Sequence, residues 1–314
     1  MSHYAVTNPA TGEVEETFAT YSDEQVETAL DGAQIAFEQW GRTSSKAERS
    51  ALLRRVADLY EERKEELADI IHHEMGKLPE ECLAEVEFSG AIYRYYADNG
   101  EFFLEDAPIQ REAEGSAVIR KLPIGPLFGV MPWNYPYYQV ARFAAPNLML
   151  GNTILLKHAS LCPKSSAAME RIFLDAGFPN GAFTNLYITN EQSAAVIADH
   201  RVRGISLTGS ERAGVAIASE AGAALKKVVC ELGGSDPFIL LSTDDMDATV
   251  AAAIGGRYEN CGQICNGAKR FIVVDSLYDE FLSKFAKASE KLELAPLCSK
   301  AAAKHLAEQV REAV

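Results

Sequence analysis

Long hydrophobic runs are missing from this chain of 314 residues: no apolar stretch approaches the ~20 residues that cross a bilayer. Its first residues, Met1-Ser2-His3-Tyr4-Ala5, carry neither the basic nor the apolar part of a secretion signal, so a soluble, cytoplasmic protein is expected. Positive charge is scarce. Lys and Arg number 30 against 45 Asp and Glu, for a net charge of −15. Phosphate backbones and anionic lipids are repelled by such a chain, which argues against nucleic acid and membrane partners. Cysteine is sparse too. Cys82, Cys162, Cys230, Cys261, Cys265 and Cys298 are spread along the chain, unlike the dense framework of a small secreted domain. No CxxC pair or nearby His completes a zinc set around Cys261 and Cys265, so neither a metal nor a structural disulfide is expected. The dinucleotide signature G-x-G-x-x-G is also absent. What the composition does offer is length and apolar content for two domains with a sizeable core.

The first hundred residues read as mainly helical. Asn8-Pro9-Ala10-Thr11-Gly12-Glu13 is a turn between two short extended pieces. Ser22-Asp23-Glu24-Gln25 and Ser45-Lys46-Ala47-Glu48 are capping boxes, each opening a helix. Val26, Ala29, Leu30, Ala33, Phe37 and Trp40 keep helical spacing behind the first. The second helix is expected to run on through the charged stretch from Glu61 to Glu66, and a third to cover Pro79 to Phe103. Ala117–Leu122 alternates between Gly115 and Pro123, which predicts a strand.

From Leu127 apolar strands alternate with helices. Strands are expected at 127–131, 153–156, 185–188, 204–207 and 227–230, with helices beginning near Pro136, Pro163, Glu191 and Glu211. That alternation predicts a doubly wound parallel sheet, which binds ligands beyond the carboxyl ends of its strands. Those ends are polar or glycine-rich: Pro132-Trp133-Asn134-Tyr135-Pro136, Lys157-His158-Ala159-Ser160, Thr208-Gly209-Ser210, and Glu231-Leu232-Gly233-Gly234. Gly209 and Ser210, just before a helix, could set backbone amides against a diphosphate, although Gly-Ser is also a simple cap.

The stretch from Gly255 to Arg270 sets Cys265 in a small polar turn, beside Gln263, Asn266 and Gly267, ahead of the apolar strand Phe271-Ile272-Val273-Val274. Packing alone does not ask for a thiol there, and a free cysteine is otherwise a buried small hydrophobe. Cys265 is therefore the candidate nucleophile, and an inert buried thiol is the alternative.

Five pieces of the chain, N-P-A-T-G-E, P-W-N-Y-P, T-G-S-x-x-x-G, E-L-G-G and G-Q-I-C, stand in the order and rough spacing of the aldehyde dehydrogenase superfamily. The resemblance runs from about Asn8 to Leu292. It is greatest to bacterial succinate-semialdehyde dehydrogenases, through K-H-A and E-L-G-G-S-D-P-F-I. It implies NAD(P)-dependent oxidation of an aldehyde, with NADP or NAD as cofactor and a small aldehyde as partner. Cys265 would attack the aldehyde, the Asn134 amide and the Cys265 backbone N–H would hold the oxyanion, and Glu231 would activate water against the thioester. Lys157 would bond the adenosine ribose and Trp133 would sit in the cofactor site. Arg142 matches a position that holds the substrate carboxylate. NAD-selective relatives often have Glu three residues after the ribose lysine; Ser160 stands there, which predicts acceptance of NADP.

The implied architecture is α/β. A doubly wound parallel-sheet cofactor domain spans 1–108 and 127–231. A β oligomerisation arm at 109–126 serves a homodimer or homotetramer. A catalytic domain at 232–314 is incomplete. Two departures stand out. Glu259 replaces an arginine that some relatives use for the substrate carboxylate. The family's later E-x-F-G-P and F-G-G segments are absent, and Lys291-Leu292 runs into Glu293-Leu294-Ala295-Pro296 without the usual Gly-Asp-Pro loop, like the far side of a deletion. The chain thus reads as a truncated product or as part of a longer one. The rival reading is a non-catalytic nucleotide-binding fragment. A CoA-acylating relative is a further alternative, against which Glu231 argues, since a hydrolytic base would waste the thioester.

Overall fold

A computed structural model describes residues 4–112 and 114–313. The N-terminal turn joins β1 (Tyr4–Thr7) to β2 (Val14–Phe18) as an antiparallel pair. Both expected capping boxes form. Ser22 opens α1 (Asp23–Ala36), and Ser45 opens α2 (Lys46–Glu62). The second helix does not run through the charged stretch. Arg63 leaves helical geometry (φ −116°, ψ 18°), and its guanidinium reaches Asp175 at 2.7 Å. A separate α3 (Lys64–Met75) follows. Helix α4 spans Pro79–Phe103, as expected.

The expected strand at 117–122 shrinks to a two-residue hairpin arm. β3 (Ala107–Pro108) pairs with β4 (Val118–Ile119). One further bond, from the Ile109 N–H to the Ala117 carbonyl at 2.9 Å, continues the pairing. The main sheet then holds β5 (Pro126–Met131), β6 (Thr153–His158), β7 (Phe183–Asn185), β8 (Gly204–Thr208) and β9 (Lys227–Glu231). Its order is β7-β6-β5-β8-β9, and every pair is parallel. The strand expected at 185–188 starts and ends earlier: beyond Leu186 the Ile188 N–H meets the hydroxyl of Tyr4 instead of a neighbouring strand. Helices α5 (Pro136–Leu150), α6 (Pro163–Asp175), α7 (Asn190–Ala198) and α8 (Glu211–Ala223) make the crossovers. Because β5 has β6 on one side and β8 on the other, the chain reverses its winding between β5 and β8. A crevice is expected beyond the carboxyl ends of those two strands.

Two apolar cores cover the sheet's faces. One joins α2, α3, α4, α5 and α6, and the other joins α1, α7 and α8. A smaller lobe has its own core. There β10 (Asp236–Leu240) and β11 (Ala268–Val273) pair in parallel against α9 (Met246–Tyr258) and α10 (Asp275–Ser289). β10 was not foreseen, because Pro237 interrupts a short apolar run. The last part of the chain does not stay with the small lobe. Cys298 is buried in the larger lobe's core and Ala302 packs on it, at the start of α11 (Lys300–Ala313). No helix among the described residues is long and apolar enough to cross a membrane.

Candidate active site

Strands β5, β8 and β9 deliver three of the singled-out segments to one crevice. Trp133 and Asn134 follow β5, Gly209 and Ser210 follow β8, and Glu231 ends β9. All five line a cavity of about 340 Å³ together with Cys265. A second cavity, of about 670 Å³, shares Cys265, Ile264, Gln139 and Glu231 with the first. Arg142, Tyr135, Glu259 and Glu85 are among its walls. Cys265 and Glu231 line both, so the thiol stands where two chambers meet, beside a carboxylate. The E-L-G-G turn approaches closely. A Cβ built on Gly234 would lie 3.6 Å from the Cys265 carbonyl.

The loop carrying Cys265 is held in an unusual shape. Asn260, Cys261 and Gly262 all have positive φ, at 49°, 55° and 76°. Non-glycine residues in that region cost about 1–3 kcal/mol each and persist only where neighbours over-determine them. Those neighbours are visible. The Asn260 N–H donates to Glu81 Oε1 at 2.8 Å, and its side-chain amide donates to the Asn134 carbonyl at 2.9 Å. The Lys269 ammonium donates to the carbonyls of Cys265 at 3.0 Å and of Ile264 at 3.3 Å. Asn134 in turn donates its side-chain N–H to the Gln263 carbonyl at 2.9 Å, leaving its second N–H for another acceptor. Gln263 and Lys269 were not singled out as site residues from the sequence. Their proximity to Cys265 was the only signal.

Arg142 meets Glu231. The guanidinium lies 3.5 Å from Glu231 Oε2 and donates to the Thr208 hydroxyl at 3.2 Å. Glu259 does face the larger cavity, and it accepts the Tyr135 hydroxyl at 2.6 Å. Burial and that carboxylate both push the Tyr135 phenol well above its ordinary value.

Lys157 and Ser160 lie away from this junction. Lys157, at the end of β6, is buried, and burial lowers its pKa. It lines a third cleft, of about 300 Å³, between α7 and α8, with Ser193, Arg212 and Glu220. Among the described residues neither Lys157 nor Arg212 forms an ion pair. Lys157 and Arg212, the latter in the first turn of α8, give this cleft two cations beside one carboxylate, Glu220. Ser210 itself caps α8, accepting the Ala213 N–H at 3.3 Å. Ser160 is half-buried in the turn after β6, where its carbonyl accepts the Ala5 N–H; it is not among the cleft's walls.

Comparison with known proteins agrees with this geometry. The family model described as "Aldehyde dehydrogenase family" matches residues 1–314. The chain belongs to the aldehyde dehydrogenase family. A succinate-semialdehyde dehydrogenase [NADP(+)] of Deinococcus radiodurans is 47% identical, aligned over 99% of this chain and 67% of that protein. A probable succinate-semialdehyde dehydrogenase [NADP(+)] of Synechocystis is 43% identical, over 92% of this chain and 63% of its own length. The crystal structure of the Streptococcus pyogenes succinic semialdehyde dehydrogenase, with NADP+ as the cofactor, superposes with a TM-score of 0.95 at 39% identity. It is covered over 70% of its length and covers 98% of this chain. The chain thus spans about two thirds of the length of these aldehyde dehydrogenases. Its fold is the aldehyde dehydrogenase fold, with parallel sheets in both lobes.

Proposed function

We propose that this protein is an NADP-dependent aldehyde dehydrogenase acting on succinate semialdehyde. The observation that carries the reading is Cys265 at the junction of two chambers, with Glu231 lining both. Lys157, Trp133, Gly209 and Ser210 would hold the cofactor, which would supply the hydride acceptor, and the aldehyde enters from the chamber of Arg142. The Cys265 thiolate attacks the aldehyde carbon, and the oxygen becomes an oxyanion. The free N–H of the Asn134 amide and the Cys265 backbone N–H hold it; one such donor is worth about 3–4 kcal/mol in the transition state. Loss of hydride leaves an acyl group on Cys265. Glu231 then takes a proton from water that attacks the thioester and releases the acid. Arg142 leaves Glu231 and grips the substrate's distal carboxylate through parallel hydrogen bonds. Glu259 is tied to Tyr135 and so presents less of its charge to that carboxylate.

In this reading the cofactor domain is 1–108 with 127–231, 109–126 is the oligomerisation arm, and the catalytic domain begins near Leu232. The similarity to named NADP enzymes supports the cofactor assignment. Incubation with succinate semialdehyde and NADP+ should produce reduced cofactor, seen by its ultraviolet absorbance, and Cys265→Ala should abolish it. Binding of NADP+ without turnover by the unaltered chain would support the nucleotide-binding fragment instead.

A further inference from the structure

Gln263 has no part in the chemistry above, yet few side chains in the site are held from so many sides. Its Oε1 accepts the backbone N–H of Cys298 at 2.9 Å. Its Nε2 donates to the Asn260 carbonyl at 3.1 Å, and its own backbone N–H donates to that carbonyl at 3.0 Å. Its backbone carbonyl accepts the side-chain amides of Asn134 at 2.9 Å and Asn260 at 3.3 Å. The segment that reaches in from outside, 295–298, touches the loop a second time, where the Cys261 thiol donates to the Ala295 carbonyl at 3.1 Å. Its far end is fixed because Cys298 is buried in the core of the larger lobe.

We infer that Gln263 is a positioning residue for the oxyanion site, locked in place by the 295–298 strap. The terminal torsion of an asparagine is soft, so its amide has no fixed direction of its own. Donating one N–H to the Gln263 carbonyl sets the plane of the Asn134 amide and aims the other N–H. Two residues after Gln263 comes Cys265, whose backbone N–H takes its direction from the same stretch. One residue thus orients both donors, and the strap ties that orientation to the rigid lobe that carries Asn134. The inference rests on the proposed oxyanion role of Asn134 and Cys265.

Two reactions of the same thiol separate positioning from simple folding. Iodoacetamide alkylation needs only a reachable thiolate. The sulfur–carbon bond forms, iodide leaves and no oxyanion appears. Acylation by p-nitrophenyl acetate passes through one. The sulfur bonds the carbonyl carbon, its oxygen takes up the charge, and the nitrophenolate departs as the ester C–O bond breaks. Neither reaction needs the nicotinamide, so the whole chain is tested as it stands. Gln263→Leu should slow acylation of Cys265 by about 10²-fold, the scale of a misplaced catalytic group, while its alkylation rate, read by peptide mass, stays at the wild-type value. Gln263→Glu keeps an acceptor for the Cys298 N–H but sets an oxygen against the Asn260 carbonyl in place of the donor, so its acylation should be slowed as well, again with unchanged alkylation. Equal slowing of both reactions in both variants would mean that Gln263 only keeps the loop folded. Unchanged acylation in Gln263→Leu would mean that it orients nothing. Either result overturns the inference. Asn134→Ala tests the underlying reading: wild-type acylation of Cys265 in that variant would remove the oxyanion site itself, whatever Gln263 does. Nitrophenolate release at the wild-type rate by Cys265→Ala would show instead that another group is the nucleophile.

Discussion

Replacing Lys77 by Met removes the partner of a carboxylate buried beneath the larger chamber. Lys77 Nζ lies 2.5 Å from Glu85 Oε2, and solvent reaches almost none of either side chain. Glu85 uses Oε1 to accept the backbone N–H groups of Tyr137 at 2.9 Å and Tyr138 at 3.3 Å, in the first turn of α5. It therefore anchors the helix that carries Arg142. The Lys77 ammonium also lies 3.7 Å over the ring of Tyr135, next to Asn134. Methionine has a similar shape and flexibility, so packing changes little. The loss is electrostatic. Burial already raises the Glu85 carboxyl, and Lys77 is the largest influence opposing that rise. Breaking a buried pair from one side typically costs about 3–5 kcal/mol. In a chain of this size each kcal/mol is worth about 2–4 °C, so the transition of the larger lobe should fall by roughly 10 °C at neutral pH. Glu85 then folds with a pKa raised further. The variant should lose stability as pH rises from the unfolded carboxyl value, with the deficit shrinking in acid. Lys77→Met combined with Glu85→Gln buries no charge and should recover most of the loss. Calorimetry at two pH values decides it. A shift below about 2 °C for the single variant, or a double variant no more stable than the single, would refute the reasoning.

Burial lifts the Glu74 carboxyl to about 7, despite hydrogen bonds from the Ser165 hydroxyl at 2.6 Å and from the backbone N–H groups of Lys164 and Ser165. The folded state therefore holds its proton longer, and stability should fall as pH climbs from about 4.5 to 7, by on the order of 3 kcal/mol. Glu74→Gln should flatten that slope in pH-dependent urea melts; an unchanged slope would clear Glu74 of it. Arg142→Leu should raise KM more for succinate semialdehyde than for a neutral aldehyde of equal length, and equal effects would make Arg142 structural. Ser160→Glu should weaken use of NADP relative to NAD in paired kinetics. Because Ser160 is not among the walls of the Lys157 cleft, an unchanged preference would locate the choice elsewhere, with Arg212 the next residue to replace.

The parallel sheet was legible because its strands are apolar runs punctuated by Gly, Pro and polar ends, and those ends carry the site. Cap chemistry located the starts of α1 and α2 to the residue, since each box is a closed local exchange of hydrogen bonds. The break at Arg63 was not legible: nothing in the charged run marks it, and the ion-pair partner of its side chain, Asp175, is more than a hundred residues away. Nor was the Arg142–Glu231 contact, which joins residues from a helix and a strand end whose closeness depends on sheet order. The return of Cys298 to the larger lobe was hidden for the same reason: nothing local marks where a tethering segment docks. Residue types announced chemistry where a motif fixed their surroundings, as at Cys265 and Glu231. They were silent where the role comes from a backbone carbonyl, as at Gln263.

The most direct measurement of the account is the fate of Cys265 when Glu231 is changed to Gln. The amide keeps the size of the carboxylate but cannot take a proton from water, a loss that typically slows a step by about 10²–10⁴. With succinate semialdehyde and NADP+, the variant should release one burst of reduced cofactor and then stall. Peptide mass spectrometry should find the succinyl group on Cys265, and Cys261→Ser should behave as wild type, because a hydroxyl can still donate to the Ala295 carbonyl. Steady turnover by Glu231→Gln, or an acyl group on Cys261 with Cys265 unmodified, would contradict the account.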